Sequence, residues 1–212
     1  MPVEPREHRP LSMLRSYTPA DLLTLANATC GALSIFACLS YIDDAKSRQI
    51  WAAFVLPVAA LVLDFFDGYV ARLSRKRQSL LGADLDSLAD IVSFGVAPAV
   101  LGYTLGLRGF WDVLCLTYFV CCGISRLARF NVTSAELTNV DTGKVKYFEG
   151  TPIPTSILLV MIMAALFALG HVGRYNFFGG HVELLWRGFH PFSVLFLISG
   201  SLMISTIKVP KP

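Results

Sequence analysis

Two carboxylates three residues apart, Asp64 and Asp67, stand in the stretch DFFDGYVAR (64–72) at the end of an apolar run that begins at Ile50. On a helix this spacing puts both on one face, and Gly68 and Ala71 continue the stripe. After a basic turn, Gly82, Asp86 and Asp90 recur every four residues, again on one face. Asp84 is out of phase with them and is excluded. Two helix faces joined by a tight basic connection thus each offer a pair of carboxylates, and the small residues beside them let the helices approach closely. Four facing carboxylates cannot all stay ionised without a cation. A charge in hydrocarbon costs ~2.5–3.5 kcal/mol on insertion scales, so intramembrane acids are functional candidates by default. Oxygen ligands with no His or Cys nearby suit a hard divalent ion such as Mg2+, Mn2+ or Ca2+. Two ions bridged by shared carboxylates make a site for phosphoryl chemistry, with Arg72 and the backbone at Gly68 placed to meet a phosphate. The plainer reading, acids paired with local Arg and Lys at a membrane surface, suits one pair better than four acids in phase.

The elements that must position these acids are membrane spans. The chain has 212 residues, 54% hydrophobic and 16% charged, with mean hydropathy +0.58. A soluble domain carries about a quarter charged residues. Apolar windows cover 21–41, 50–73, 91–107, 110–124, 153–169 and 191–207, and a span needs ~20 mostly apolar residues. The third window reaches full length only by taking in the acidic stretch, and the fourth only by continuing through SRLARF. The fold expected is all-α: a polytopic membrane domain of six transmembrane helices over 21–212, after a polar, Pro-rich tail and interfacial segment over 1–20. That tail lacks the pattern of a secretory signal peptide.

Charge orients the bundle. With six spans, one side holds Arg6, Arg9, Arg15, Arg72, Arg75, Lys76, Arg77, Arg126, Arg129, Lys144, Lys146, Lys208 and Lys211, 13 basic residues in all. The other side holds 5, Lys46, Arg48, Arg108, Arg174 and Arg187. The positive-inside rule places both termini, and DFFDGYVAR, on the cytoplasmic side. A net charge of +3 is too weak to suggest nucleic acid. The five cysteines, Cys30, Cys38, Cys115, Cys121 and Cys122, lie in apolar windows without zinc-type spacing, so they read as small buried residues. The long polar connection NVTSAELTNVDTGKVKYFEG runs into TPIPTS, where proline in a first turn suits a helix beginning near Pro152. The sequon NVT at 131–133 falls on the cytoplasmic side and is expected to carry no glycan.

The acidic stretch resembles the signature of the CDP-alcohol phosphotransferase family, D-x2-D-G-x2-A-R-x8/9-G-x3-D-x3-D. Here it reads Asp64, Asp67, Gly68, Ala71, Arg72, nine residues, Gly82, Asp86 and Asp90, with every fixed position matched over 27 residues. The resemblance implies six transmembrane helices and transfer of a phosphatidyl or similar group from a CDP-linked donor to an alcohol, with release of CMP. It implies two divalent metals, Mg2+ or Mn2+, on Asp64, Asp67, Asp86 and Asp90, with Asp90 doubling as general base. It assigns the donor to Gly68, Arg72, Ser79 and Gly82, and, through TLANATCG (24–31) in the first helix, to Thr24 and Asn27.

The acceptor is read elsewhere. SLADIVSFGVAPA (87–99), RLARFN (126–131) and YFEGTPIPT (147–155) are similar to the serine-accepting branch of that family, its fungal form most of all. The implied substrates are CDP-diacylglycerol and L-serine, in a homodimer of the endoplasmic reticulum membrane with its site facing the cytoplasm. Arg126 and Arg129, three apart, offer a bidentate partner for a carboxylate or phosphate, or else snorkel to the interface. Glu149 suits an ammonium, or complements the positive end of the following helix. Asn131 belongs to the acceptor site or caps a helix. Inositol or glycerol phosphate as acceptor, and a cation transporter with intramembrane carboxylates, stay open on residue chemistry alone. No Cys, His or Ser of the motif sits with a base as an activated nucleophile, so no covalent phosphatidyl-enzyme is expected.

Overall fold

The computed structural model describes residues 19–73, 80–138, 147–172, 182–184, 187–205 and 208–210. Helix α1 (Pro19–Asp44) and helix α2 (Ser47–Leu73) form a hairpin around Ala45 and Lys46, where Lys46 pairs with Asp44 at 2.8 Å. The inward face of α1 carries Thr24, Asn27, Gly31, Ser34 and Cys38, while Leu22, Leu25, Leu33, Phe36 and Leu39 point outward. In water that pattern is inverted. In lipid it is the stable one, because small and polar side chains bring helices together and large apolar ones meet acyl chains. Ser34 illustrates it: its buried hydroxyl donates to the carbonyl of Ala53 on α2 at 2.8 Å.

Helix α3 (Leu80–Asp90) continues without a break into a π-helical segment (Ile91–Val96) and then α4 (Ala97–Leu105). Together they make one apolar stretch from Gly82 to Leu105, so the third span includes the acidic stretch, as its length required. The wider π winding shows in the bond from the Ala97 amide to the Val92 carbonyl. Helix α5 (Phe110–Thr138) runs through SRLARF and beyond, well past residue 124. Asn131 therefore lies inside a helix, and the helix-cap alternative for it does not hold.

After strand β1 (Tyr147–Glu149), a 3-10 turn (Ile153–Ser156) follows Pro152 and leads into α6 (Ile157–Ala168), which agrees with a helix beginning near that proline. Strands β2 (Val182–Leu184) and β3 (Arg187–Phe189) form a short hairpin before α7 (Ser193–Met203). Strand β4 (Lys208–Pro210) returns antiparallel to β1, with Glu149 opposite Lys208. Beside these three-residue pairs the regular structure among the described residues is helical.

Among the described residues four helical stretches are long and apolar enough to cross a membrane: Pro19–Asp44, Ser47–Val70, Gly82–Leu105 and Phe110–Val132. The apolar helices Ile153–Ala168 and Ser193–Met203 are shorter. The protein is an all-α integral membrane protein. Within it α1 packs along α2 and across the α3–π–α4 rod, α5 packs on α7, and α6 rests on α2. The cysteines are all free; Cys38 and Cys122 are buried, Cys30 and Cys115 half-buried, and Cys121, against expectation, is exposed. The two ends of the bundle differ in chemistry. The α1–α2 turn lies at the end where Trp51, Phe54 and Phe167 stack edge to face or tilted. The acids lie at the other.

Candidate active site

Asp64 and Asp67 sit in the last turns of α2, and Asp86 sits midway along α3. Carboxylate oxygens of Asp64, Asp67 and Asp86 all come within 4.8 Å of one another. Asp90, one turn further along α3, acts electrostatically with all three. The two acidic faces read from the sequence thus meet. Asp67 and Asp90 are 6% and 8% exposed, so water screens this charge poorly. Among the described residues no Lys or Arg is ion-paired with Asp64, Asp67, Asp86 or Asp90. The plain surface-pairing reading of these acids therefore finds no support there.

Helix α1 closes the third side. Thr24 donates from Oγ1 to Asp67 Oδ2 at 3.0 Å, and Asn27 donates from Nδ2 to Asp90 Oδ1 at 3.4 Å. Two polar side chains from α1 thereby reach two acids, one on each of the other two helices. What brings α1 so near is Gly31 against Ser93 of the π segment: a Cβ on residue 31 would lie 2.5 Å from Ser93 Oγ and 2.8 Å from its Cα. Ser93 in turn donates to the backbone carbonyl of Asn27 at 2.9 Å. Gly68 behaves differently from the sequence reading. Among the described residues nothing lies within 4 Å of where its Cβ would be, so its smallness leaves open space beside Asp67 and brings no described helix closer.

Two buried polar atoms without a partner border the acids: Asn27 Oδ1 and Arg126 Nε. An orphaned buried donor or acceptor costs about 1–3 kcal/mol, which favours a role toward a ligand. Three carboxylates suit a hard cation, and the residues present fit a divalent ion. The Arg126 N–H, within electrostatic reach of Asp90, suits an anion alongside it.

The other acceptor candidates lie on α5 and β1. Arg129 is exposed. Asn131 bonds to α3: its Oδ1 accepts from Ser87 at 3.1 Å and its Nδ2 donates to Asp84 at 3.4 Å, the very aspartate that was out of phase. This engagement also makes Asn131 a helical clamp where the sequon would have had a loop. Glu149 lies in β1, opposite β4. Of the donor candidates, Arg72 lies on α2 one turn beyond Gly68, Gly82 opens the third span, and Ser79 falls outside the described residues. Residue chemistry did not single out Ser87, Ser93 or Gly31. Only the crossing of α1 and α5 over the α3–π rod gives them roles, and a lone Ser or Gly in an apolar helix carries no signal of its own.

Fold and site define a polytopic helical membrane protein with a buried carboxylate centre, suited to a divalent cation, at one end of its bundle. The chain belongs to the CDP-alcohol phosphatidyltransferase family, whose model matches residues 17–199. It is 45% identical over 208 residues to the CDP-diacylglycerol–serine O-phosphatidyltransferase of Saccharomyces cerevisiae, covering 97% of this chain and 75% of that one. The Helicobacter pylori enzyme of the same name is 36% identical over 199 residues, covering 92% and 72%. An archaetidylserine synthase from Methanothermobacter thermautotrophicus is 39% identical over 142 residues, covering 66% and 54%. No solved structure matches the chain.

Proposed function

We infer that the chain transfers the phosphatidyl group of CDP-diacylglycerol to the hydroxyl of L-serine, giving phosphatidylserine and CMP. What supports the reading is the meeting of Asp64, Asp67 and Asp86 across two spans, in a chain matched over most of its length by relatives that carry that activity in their names. Asp64, Asp67, Asp86 and Asp90 hold two divalent ions, Mg2+ or Mn2+. When bound, such ions polarise phosphoryl oxygens and offset the charge that builds during displacement.

The chain's own residues do the rest. Gly68 leaves room for the donor's pyrophosphate, and Arg72, Ser79, Gly82, Thr24 and Asn27 hold the nucleotide and phosphates. The acyl chains stay in lipid. Arg126 and Arg129 take the serine carboxylate, with Asn131 and Glu149 completing the acceptor side. Asp90 takes the proton of the serine hydroxyl. The serine oxygen forms a bond to the phosphorus that bears diacylglycerol, the bond from that phosphorus to the CMP oxygen breaks, and CMP leaves. Displacement is in line, with both substrates bound and no covalent phosphatidyl-enzyme.

Six spans, completed by the shorter helices α6 and α7, leave both termini in the cytoplasm. The active site opens to that side, in a homodimer of the endoplasmic reticulum membrane. The deciding experiment incubates the purified protein with CDP-diacylglycerol and serine, inositol or glycerol 3-phosphate in turn, with and without EDTA, and measures CMP. Serine alone should release CMP, and EDTA should stop it. Release with inositol or glycerol 3-phosphate in place of serine would reassign the acceptor.

A further inference from the structure

Asn27 is fully buried in the N-terminal third of α1, where hydrocarbon on one side and packed helices on the other give an amide no water. Such a residue costs a few kcal/mol unless its groups are engaged. Three of its polar atoms are accounted for unequally. Its carbonyl accepts from Ser93 Oγ at 2.9 Å, its Nδ2 donates to Asp90 Oδ1 at 3.4 Å, and its Oδ1 has no partner. The amide is turned so that its NH2, which can only donate, faces an Asp90 oxygen. Ser93 and Asp90 are three residues apart on one rod, so the backbone of residue 27 is pinned at one point and its side chain reaches the acid beside it.

We propose that Asn27 is a positioning residue for Asp90. Its amide engages one carboxylate oxygen and so fixes the rotation of the group, which leaves the second oxygen turned to the incoming hydroxyl and to the cation site. This rests on the reading above that Asp90 is base and ligand. It adds to a donor-side role for Asn27, because the unpartnered Oδ1 remains available to a substrate N–H or O–H. Ser93 holds α1 in place but does not itself touch the acid. The two contributions are therefore separable: removing the Ser93 hydroxyl loosens packing, whereas removing the Asn27 amide frees Asp90 to rotate. A partner of this kind behind a ligating carboxylate is typically worth about 10–100-fold in affinity or activity.

The test compares full-length Asn27→Leu, which keeps the branching at Cγ but has no polar atom, and Asn27→Asp, which keeps the shape but loses the N–H, with Ser93→Ala as the packing control. Each is purified in detergent and measured for kcat, for KM of both substrates, for Mn2+ binding by calorimetry without substrate, and for melting temperature. Both Asn27 variants should lose kcat about 10–100-fold with serine KM within threefold. Asn27→Leu should bind Mn2+ about tenfold more weakly, and Ser93→Ala should lower the melting temperature while kcat and Mn2+ affinity stay near wild type. Asn27→Leu with wild-type kcat, a loss confined to donor KM, or equal kcat losses in Asn27→Leu and Ser93→Ala would each overturn the proposal. Asp90→Asn run beside them separates the failures: if Asp90→Asn itself remains active, the reading of Asp90 is what fails.

Discussion

Replacing Gly31 by alanine adds one methyl group at the close crossing of α1 and the π segment, and its effect can be worked from distances. The new Cβ would stand 2.8 Å from Ser93 Cα and 3.0 Å from Ser93 N. Carbon atoms rest about 3.5–4.0 Å apart. The Ser93 hydroxyl can rotate aside by giving up its bond to the Asn27 carbonyl, but the backbone atoms cannot. Helix α1 must therefore move off the rod by about 1 Å, an overpacking that costs ~1–3 kcal/mol. Asn27 lies one turn away, and its 3.4 Å bond to Asp90 has no slack before it passes beyond hydrogen-bonding range. The 3.0 Å bond from Thr24 to Asp67 is further from the pivot and is stretched as well. A misplacement near 1 Å in a catalytic constellation costs about 100-fold in rate. Gly31→Ala should thus lose about two orders of magnitude in kcat for CMP release, measured at saturating CDP-diacylglycerol and serine, while still eluting as a folded protein in detergent. A folded Gly31→Ala enzyme with kcat within threefold of wild type would refute the claim that this crossing sets the geometry of the acids.

Three further outcomes are expected. Asp64→Asn should raise the half-saturating Mn2+ concentration at least about tenfold and donor KM with it, since even indirect partners of a metal site carry that much; a change in one without the other would separate the metal from the donor. Arg129→Lys should raise serine KM by roughly tenfold while donor KM holds, because lysine cannot reproduce a two-pronged contact; an effect on donor KM alone would contradict the acceptor assignment. Asn131→Ala removes two bonds that tie α5 to α3, each worth ~0.5–1.5 kcal/mol. It should lower the thermal midpoint in detergent by a few degrees, and an unchanged midpoint would show that this clamp carries no stability.

How much the sequence reveals depends on the range over which each feature acts. Helical periodicity is local, so the in-phase pairs Asp64–Asp67 and Asp86–Asp90 were legible, as was the need for the third span to absorb its acids. The cation-suited chemistry of the site followed from residue type alone. The extent of α5 was less clear, because SRLARF breaks an apolar pattern without breaking a helix: long basic side chains near a span end satisfy themselves at the interface.

Tertiary structure decided what depends on partners far along the chain. Thr24 meets Asp67 across 43 residues and Asn27 meets Asp90 across 63. At the opposite end, the fully buried Asp112 accepts from the His190 backbone at 2.8 Å and its Oδ2 lies 2.6 Å from His190 Nδ1, across 78 residues. No spacing rule connects such pairs; they exist because helices of fixed pitch cross at particular points. The same crossings turned two glycines of similar appearance into opposites, Gly31 jammed against Ser93 and Gly68 facing open space beside Asp67. The sequence by itself determined which residues carry charge and on which helix face, since that is a matter of pitch and composition. Only the packed bundle decided which of those faces meet and which small residues give way to a neighbour or to a ligand, because that depends on distances between helices.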